Sequence, residues 1–388
     1  MIEPFPLIEV SGPPRERGRQ YGRQAAARIG RGIEQYAGQL ARSSFGWDDI
    51  RAAVADYLPR IEGFEPAYVD EMRGIADGAR VDFEAIVLLN ARTEILKLGQ
   101  CHTGRSARLG HAGEHAAGDE PREGCTGVVV VPGATQHGRV IHAQNWDWKA
   151  ECAETAVVLA VRRDDGPDFL TFTEAGGLAR SGFNAAGIAI TANYLECDRD
   201  YRQLGVPLAL IRRKVLESEH LALAMRAVYV TPKSGANNMM VSHVDGIAID
   251  FECAPDETFL LHPEGGLLVH ANHWVSPVAL AKLVDTGVAN TPCTLYRVLR
   301  LRGLLAPQAG TLTREAVKSA LFDDFATPWS VCRPPRPSLN GTLTATVATI
   351  VMEPALGVME VAPLPALNRR FTSYRLGVGP AATAAAAG

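Results

Sequence analysis

The stretch PREGCTGVVVVPG, residues 121–133, sets the problem. Cys125 stands directly after Gly124, where a polar, Gly-rich segment gives way to four consecutive valines and a Pro-Gly turn. β-Branched side chains favour the extended backbone, so Cys125 opens a strand. A cysteine there has three readings: a half-buried core residue, a metal ligand or a nucleophile.

Upstream, residues 100–123 are rich in Gly, His and charge and lack periodicity, which reads as an exposed, mobile loop ending at Gly124. The first hundred or so residues read as helices. Tyr21, Ala25, Ile29, Ile33 and Tyr36 fall on one stripe at spacings of three and four, and DDIRAAVADYLPRI and DFEAIVLLNARTEIL repeat the pattern behind Asp caps.

Downstream the period changes. CTGVVVVPG, GRVIHAQNWDW, TAVVLAVRR and FLTFTEAGG are short strands between Gly, Pro and Asp turns, and an NAAG turn joins two more as a hairpin in ARSGFNAAGIAITANY. A helical stretch, PLALIRRKVLESEHLALAMRAVYV, precedes the strands in NNMMVSHVDGIAIDFECAP and GLLVHANHWV. Helical TLYRVLRLRGLLAP and TREAVKSALFDDF lead to a last strand pair, TATVATIVMEP and LGVMEVAPL. Blocks of strands alternating with blocks of helices point to an α+β layered domain rather than βαβ units. The tail, residues 379–388, is Ala-rich and expected to be disordered.

The 388 residues are 47% apolar, enough for a substantial core. Acidic and basic residues nearly balance, 43 against 39, with no long block of either sign, which excludes nucleic acid or an anionic membrane as the expected partner and favours a small molecule or peptide. The opening MIEPFPLIEVSGPPRERG lacks the pattern of a secretory signal, and no apolar run approaches the roughly 20 residues of a membrane span. A soluble, cytoplasmic protein is expected. Seven cysteines without a CxxC pair argue against a disulfide framework.

Position gives Cys125 a chemical use. Cleavage of the Gly124–Cys125 bond would leave Cys125 with a thiol and a free α-amine, and an amine titrating near pH ~8 can accept the thiol proton, so that one residue serves as nucleophile and base. The cut can be intramolecular, the thiol attacking the Gly124 carbonyl, and glycine there leaves that carbonyl open. Taken alone, Cys125 reads more readily as a half-buried residue at a strand start. In AQNWDW, Asp147, flanked by Trp146 and Trp148, ends the next strand of the hairpin, where its carboxylate can hold the new ammonium or orient the thiol. An aromatic edge with a solvated Asp is the competing reading.

REGCTGVVV, AQNWDW, SGFNAAGIAITAN, HANHW and SVCRPP, with the opening GPPRERGRQYG, together resemble the N-terminal-nucleophile (Ntn) hydrolases of the acyl-coenzyme A:6-aminopenicillanic acid acyltransferase-like family. The resemblance runs from about residue 8 to 360. It implies a four-layer αββα sandwich with a helical N-terminal segment. It also implies a precursor that cuts itself into an α chain, 1–124, and a β chain, 125–388, which remain associated. By position, Cys125 matches the nucleophile, Gly124 the residue across the scissile bond and Asp147 the acidic residue assisting processing and turnover. Asn272 matches the oxyanion asparagine, whose NH₂ would donate to a tetrahedral intermediate at a value of ~3–4 kcal/mol; the competing reading is a turn asparagine. Ser330, Cys332 and Arg333 match a segment near the pocket, with Arg333 the residue to meet a charged substrate or support the site; a salt-bridged loop arginine is the alternative. The activity implied is hydrolysis of an amide or acyl transfer through a Cys125 thioester, on a small-molecule amide or peptide, with acyl-CoA as a possible donor.

His270 and His273 lack the helical H-E-x-x-H spacing, and His111 and His115 lie among loop glycines, so no metal is expected. Asn184 serves its turn, and Asn193 is a further candidate to face the site. No GxGxxG, Walker or G-x-S-x-G motif occurs, and no cofactor is expected. Three rivals stay open: a penicillin V acylase or bile-salt-hydrolase type enzyme, an unprocessed cysteine hydrolase using His142 or His273, and a non-catalytic homologue. Oligomeric state, including a homo-oligomer, is left open.

Overall fold

The structure, a computed structural model, describes residues 2–102, 124–337 and 343–377. The N-terminal elements are β1 (Leu7–Val10), α1 (Pro14–Arg42), α2 (Trp47–Phe64), α3 (Pro66–Ala79), α4 (Phe83–Asn90) and α5 (Arg92–His102). Then follow β2 (Gly124–Val130), β3 (Ile141–Lys149), β4 (Ala156–Val161), β5 (Phe169–Glu174), β6 (Ser181–Asn184), β7 (Ile188–Tyr194), α6 (Leu208–Leu216), α7 (Leu221–Val230), β8 (Asn237–His243), β9 (Ala248–Cys253) and β10 (Thr258–Leu261). The last part holds β11 (Leu267–His270), α8 (Pro277–Leu280), α9 (Cys293–Leu305), α10 (Arg314–Leu321), β12 (Arg336–Pro337), β13 (Leu343–Glu353), β14 (Val358–Pro363) and β15 (Thr372–Arg375).

The strands form two sheets. One has the order β1-β4-β5-β6-β7-β8-β9-β10; the other runs β11-β2-β3-β13-β14-β15, with β12 paired to β13. They face each other through β2 and β3 against β7, while α6 and α7 cover the outer face of the first and α9 and α10 that of the second. The order is therefore αββα. Central strands are covered on both faces, so all seven residues of β2 are buried and its sequence reads as a continuous apolar run rather than an alternation.

Part of the layer between the sheets is polar. His142 bonds Ser242 and Thr191, both at 2.8 Å, and Gln144 takes the Ser181 hydroxyl at 2.8 Å while donating to Asn193 at 2.8 Å. His270 and Glu252, both fully buried, meet at 2.7 Å.

The N-terminal segment departs from an all-helical reading at β1, which pairs in parallel with β4, Leu7 opposite Val158 and Val10 opposite Val161. α1 and α3 touch through their backbones: a Cβ on Gly18 would lie 2.1 Å from the Glu71 carbonyl oxygen, and one on Gly74 2.1 Å from that of Arg15. Of the expected Asp caps, Asp82 occupies the N-cap of α4 without a side-chain bond, and α2 is capped by Gly46, whose N–H donates to Asp49 at 2.8 Å. The helical stretch after residue 206 breaks in two, because Asn184 draws the carbonyls of Leu216 and Ser218 onto its Nδ2 at 3.0 and 2.8 Å. Asn184 also accepts the Ile188 N–H across its turn. Most of the expected loop, with His111 and His115, and the tail lie outside the described residues. No described helix is long and apolar enough to cross a membrane, and Cys125, Cys152, Cys197, Cys253, Cys293 and Cys332 are thiols outside any disulfide.

Candidate active site

β2 and β3 form an antiparallel ladder that pairs Gly124 with Asp147 and Cys125 with Trp146. Opposed residues share a face and consecutive ones alternate, so the two pairs lie on opposite sides of the sheet. Cys125, fully buried, points inward with Trp146. The Arg180 guanidinium stacks 4.2 Å over the Trp146 ring, and its Nη2 lies 3.9 Å from Cys125 Sγ. Phe172 closes the pocket edge-on to Trp146 at 5.7 Å.

Gly124 and Asp147 occupy the other face. A Cβ on Gly124 would lie 2.9 Å from Arg333 Nη1 and 3.0 Å from Asp147 Oδ2, so a side chain there would have to displace the guanidinium and press on the carboxylate. A bulge in β13 between Thr346, opposite Asp147, and Ala348, opposite Trp146, aims the Thr346 hydroxyl at the carboxylate. That hydroxyl donates to Asp147 Oδ1 at 2.7 Å and accepts the Arg333 N–H at 2.8 Å. Arg333 Nε stands 3.2 Å from Asp147 Oδ2, in ion-pair contact but off the line of a hydrogen bond, and Oδ2 accepts no hydrogen bond among the described residues. Arg333 Nη2 donates to Cys293 Sγ at 3.1 Å. Burial opposes the Arg333 charge, yet Asp147 and the Cys293 and Cys125 thiols carry its pKa above the ordinary value.

The backbone of Cys125 is held from a third side. Its N–H donates to Asn272 Oδ1 at 2.9 Å. Arg297 on α9 donates through Nη2 to the same oxygen at 2.8 Å and through Nη1 to the Cys125 carbonyl and the Thr126 hydroxyl at 2.6 and 2.7 Å. The Asn272 NH₂ donates to the Tyr194 carbonyl at 2.9 Å. Asn272 thus meets Cys125 with its acceptor, not with the donor expected of an oxyanion asparagine, because two donors compete for that oxygen and none of the surrounding groups would accept in its place.

The arrangement is a buried thiol with three guanidinium groups and one carboxylate around it and a glycine closely packed at the preceding position. Such surroundings favour thiolate chemistry. The family profile described as acyl-coenzyme A:6-aminopenicillanic acid acyl-transferase matches residues 134–362. The chain belongs to this family. Asp147, Asn193, Asn272, Arg297, Ser330 and Arg333 lie within the matched residues, and Cys125 just ahead of them. As a member of the acyl-transferase family, the protein is an enzyme of acyl-group chemistry.

The chain is 27% identical over 337 residues to the acyl-coenzyme A:6-aminopenicillanic-acid-acyltransferase 40 kDa form of Emericella nidulans, covering 84% of each chain. Among solved structures it is similar to the conjugated bile acid hydrolase of Clostridium perfringens (TM-score 0.47, 12% identity, 65% of this chain and 92% of that one). It is also similar to the penicillin V acylase of Agrobacterium tumefaciens (TM-score 0.44, 14% identity, 65% and 86%).

Other sequence candidates sit away from the thiol. Ser330 donates to the Cys332 carbonyl at 2.5 Å, within its own turn. Asn193 lies between the sheets against Gly127, bonded to Gln144 and to the His270 carbonyl. His142 is engaged at both ring nitrogens and burial pulls its pKa down to about 3. His273 bonds Thr294 at 2.9 Å and is pulled down to about 4 by burial and by His270. Neither histidine is bonded to Cys125. Among the described residues no group of His, Cys, Asp and Glu suits a metal ion.

Sequence reasoning missed Arg180, Arg297, Cys293 and Thr346. For Arg297 a signal exists: it shares the buried stripe of α9 with Cys293, Thr294, Val298, Leu301 and Leu305, a place where a solvated arginine does not belong. A cleft of about 30 Å³ lies beside Arg180.

Proposed function

We propose that the chain cuts itself between Gly124 and Cys125 and that Cys125, as the new N-terminus, breaks an amide or thioester through a Cys125 acyl-thioester. The observation carrying this reading is the close packing at Gly124, where a side chain would have to displace Arg333 and press on Asp147, followed directly by a buried cysteine whose nitrogen donates to Asn272.

In the cut, Sγ adds to the Gly124 carbonyl carbon and its proton passes to the Cys125 nitrogen. The C–N bond breaks, leaving a Gly124 thioester and a free amine, and water hydrolyses the thioester to a Gly124 carboxylate and the thiol. Asp147 Oδ2, buried and accepting no hydrogen bond from the described residues, supports a part for this carboxylate in the cut beside Gly124. In turnover the amine takes the thiol proton, Sγ attacks the substrate carbonyl, and the leaving amine or thiol departs with that proton. Water or a second amine then takes the acyl group. The cationic surroundings suit a substrate with a carboxylate or phosphate, and an acyl-CoA thioester donor fits both the chemistry and the family.

The two pieces, 1–124 and 125–388, stay together, supported by the β1–β4 ladder and by bonds such as Trp148 Nε1 to the Tyr36 hydroxyl at 3.0 Å. Intact mass under denaturing conditions tests the reading. Fragments ending at Gly124 and beginning at Cys125 are expected for the wild type and one species for Cys125→Ala; a single full-length species in both would overturn it.

A further inference from the structure

We infer that Arg297 is a positioning residue for Cys125, holding Asn272 with its oxygen toward the Cys125 nitrogen and placing a positive charge where it keeps the freed amine unprotonated. This rests on the reading of Cys125 as an N-terminal nucleophile.

The geometry is specific. Arg297 is fully buried, and its planar fork spans the Cys125 carbonyl, the Thr126 hydroxyl and Asn272 Oδ1, three neutral acceptors. A fork of this kind fixes direction as well as distance, which a lysine cannot reproduce. The base of the arrangement is rigid, because Asn272 N–H donates to the Thr294 hydroxyl at 2.7 Å, one turn before Arg297 on α9. With Nη2 and the Cys125 N–H both on Oδ1, the Asn272 amide cannot turn its NH₂ toward Cys125 without facing two donors.

The charge balance gives Arg297 its second role. Around Cys125 stand Asp147 on β3, Arg180 ahead of β6, Cys293 and Arg297 on α9, and Arg333 after α10; His270 of β11, His273 and Glu252 of β9 lie behind Asn272. Asp147 is engaged by Arg333, and Glu252 by His270 and the Val275 and Ser276 N–H groups. Arg297 has no bonded carboxylate among the described residues. It sits on the same oxygen as the Cys125 nitrogen, so the two nitrogens are no further apart than those two bonds laid end to end. Burial and the like charge of Arg333 pull its pKa down, yet a guanidinium stays ionised in a protein. A fixed cation there disfavours an ammonium at the N-terminus and favours a thiolate. The amine therefore stays unprotonated at neutral pH, and when it takes the thiol proton the cation's cost to the ammonium is offset by its gain to the thiolate.

Arg297→Gln and Arg297→Lys, in the full chain, separate the two roles. Splitting is followed by intact mass. In the split protein, alkylation of Cys125 by iodoacetamide is followed against pH, with the site located by peptide mass. Arg297→Gln is expected to split about tenfold slower or more, for the loss of charge-assisted bonds to buried acceptors, and to raise the alkylation midpoint by about one pH unit or more. Arg297→Lys should also split slowly but keep the midpoint within about 0.3 unit, since it keeps the charge and loses the fork. Wild-type rate and midpoint in Arg297→Gln would overturn the inference, as would equal midpoint shifts in both variants, the mark of a packing role. A folded Arg297→Gln chain that never splits supports it, as the slowing taken to its limit. Should Arg297→Gln not fold, Arg297→Lys decides, and a wild-type splitting rate there overturns it. A wild-type chain that never splits strikes the proposed function itself, and that is seen before any variant is compared.

Discussion

Gly124 and Asp147 face each other across the β2–β3 ladder so closely that a methyl group on Gly124 would stand 3.0 Å from the carboxylate oxygen. The carboxylate therefore addresses the residue before Cys125, while the Cys125 thiol lies on the opposite face of the same sheet.

Gly124→Ala follows from that contact. Its methyl would press on Arg333 Nη1 and Asp147 Oδ2 and part the two. A loss of ~1–3 kcal/mol in urea unfolding is expected, as for overpacked sites, with splitting at least about tenfold slower by intact mass. Wild-type stability and rate together would show that the close approach has no bearing on either.

Thr346→Val removes the hydroxyl that joins Asp147 Oδ1 to the Arg333 N–H. Leaving those two groups unsatisfied is expected to cost ~1–3 kcal/mol and to slow splitting without abolishing it, since Asp147 keeps Arg333 beside it. A variant as inert as Cys125→Ala would place Thr346 in the chemistry rather than behind it.

Gly18→Ala tests the α1–α3 contact. A methyl 2.1 Å from the Glu71 carbonyl oxygen meets backbone that cannot rotate away, so the helices must separate. A destabilisation of ~3 kcal/mol or more is expected, at the severe end for overpacking. An unchanged urea midpoint would mean that the helices do not approach this closely.

Stability should fall on the alkaline side through the buried cluster of Asp250, Glu252 and His270. Burial raises Asp250 from 3.8 to about 7. Burial works against charged His270, but Asp250 and Glu252 outweigh it and lift its pKa from 6.5 to about 9. A raised group contributes fully below its unfolded value and loses that contribution as pH climbs through its folded one. Thermal midpoints are thus expected to drop between pH 6.5 and 9 through His270, and Asp250→Asn should gain on the wild type as pH rises from 3.8 to 7. Parallel pH curves for the two proteins would refute the assignment for Asp250.

Much of this architecture was legible in the sequence because period and punctuation agree. The valine run after Cys125, the NAAG hairpin and the α1 stripe of Tyr21, Ala25, Ile29 and Tyr36 each carry a local signal, and each appears as an element. β1 carried too little signal: four residues, LIEV, become a strand only through pairing with Val158–Val161. The split between α6 and α7 was hidden because its cause, Asn184, is distant in sequence. At the site, Cys125 and Asp147 could be singled out by type and place. The opposite faces they occupy follow from register, and the direction of the Asn272 amide from Arg297, which reads from sequence as one of several arginines on an amphipathic helix.

The parallel pairing of β1 with β4 has a consequence for biogenesis. β4 is followed in its sheet by β5 on one side and by β1 on the other, so a β chain made without residues 1–124 would leave one side of β4 bare. An unpaired strand edge is a template for other chains. Residues 7–10 therefore cover that edge, and because they are synthesised before β4 the cover is present before the edge exists.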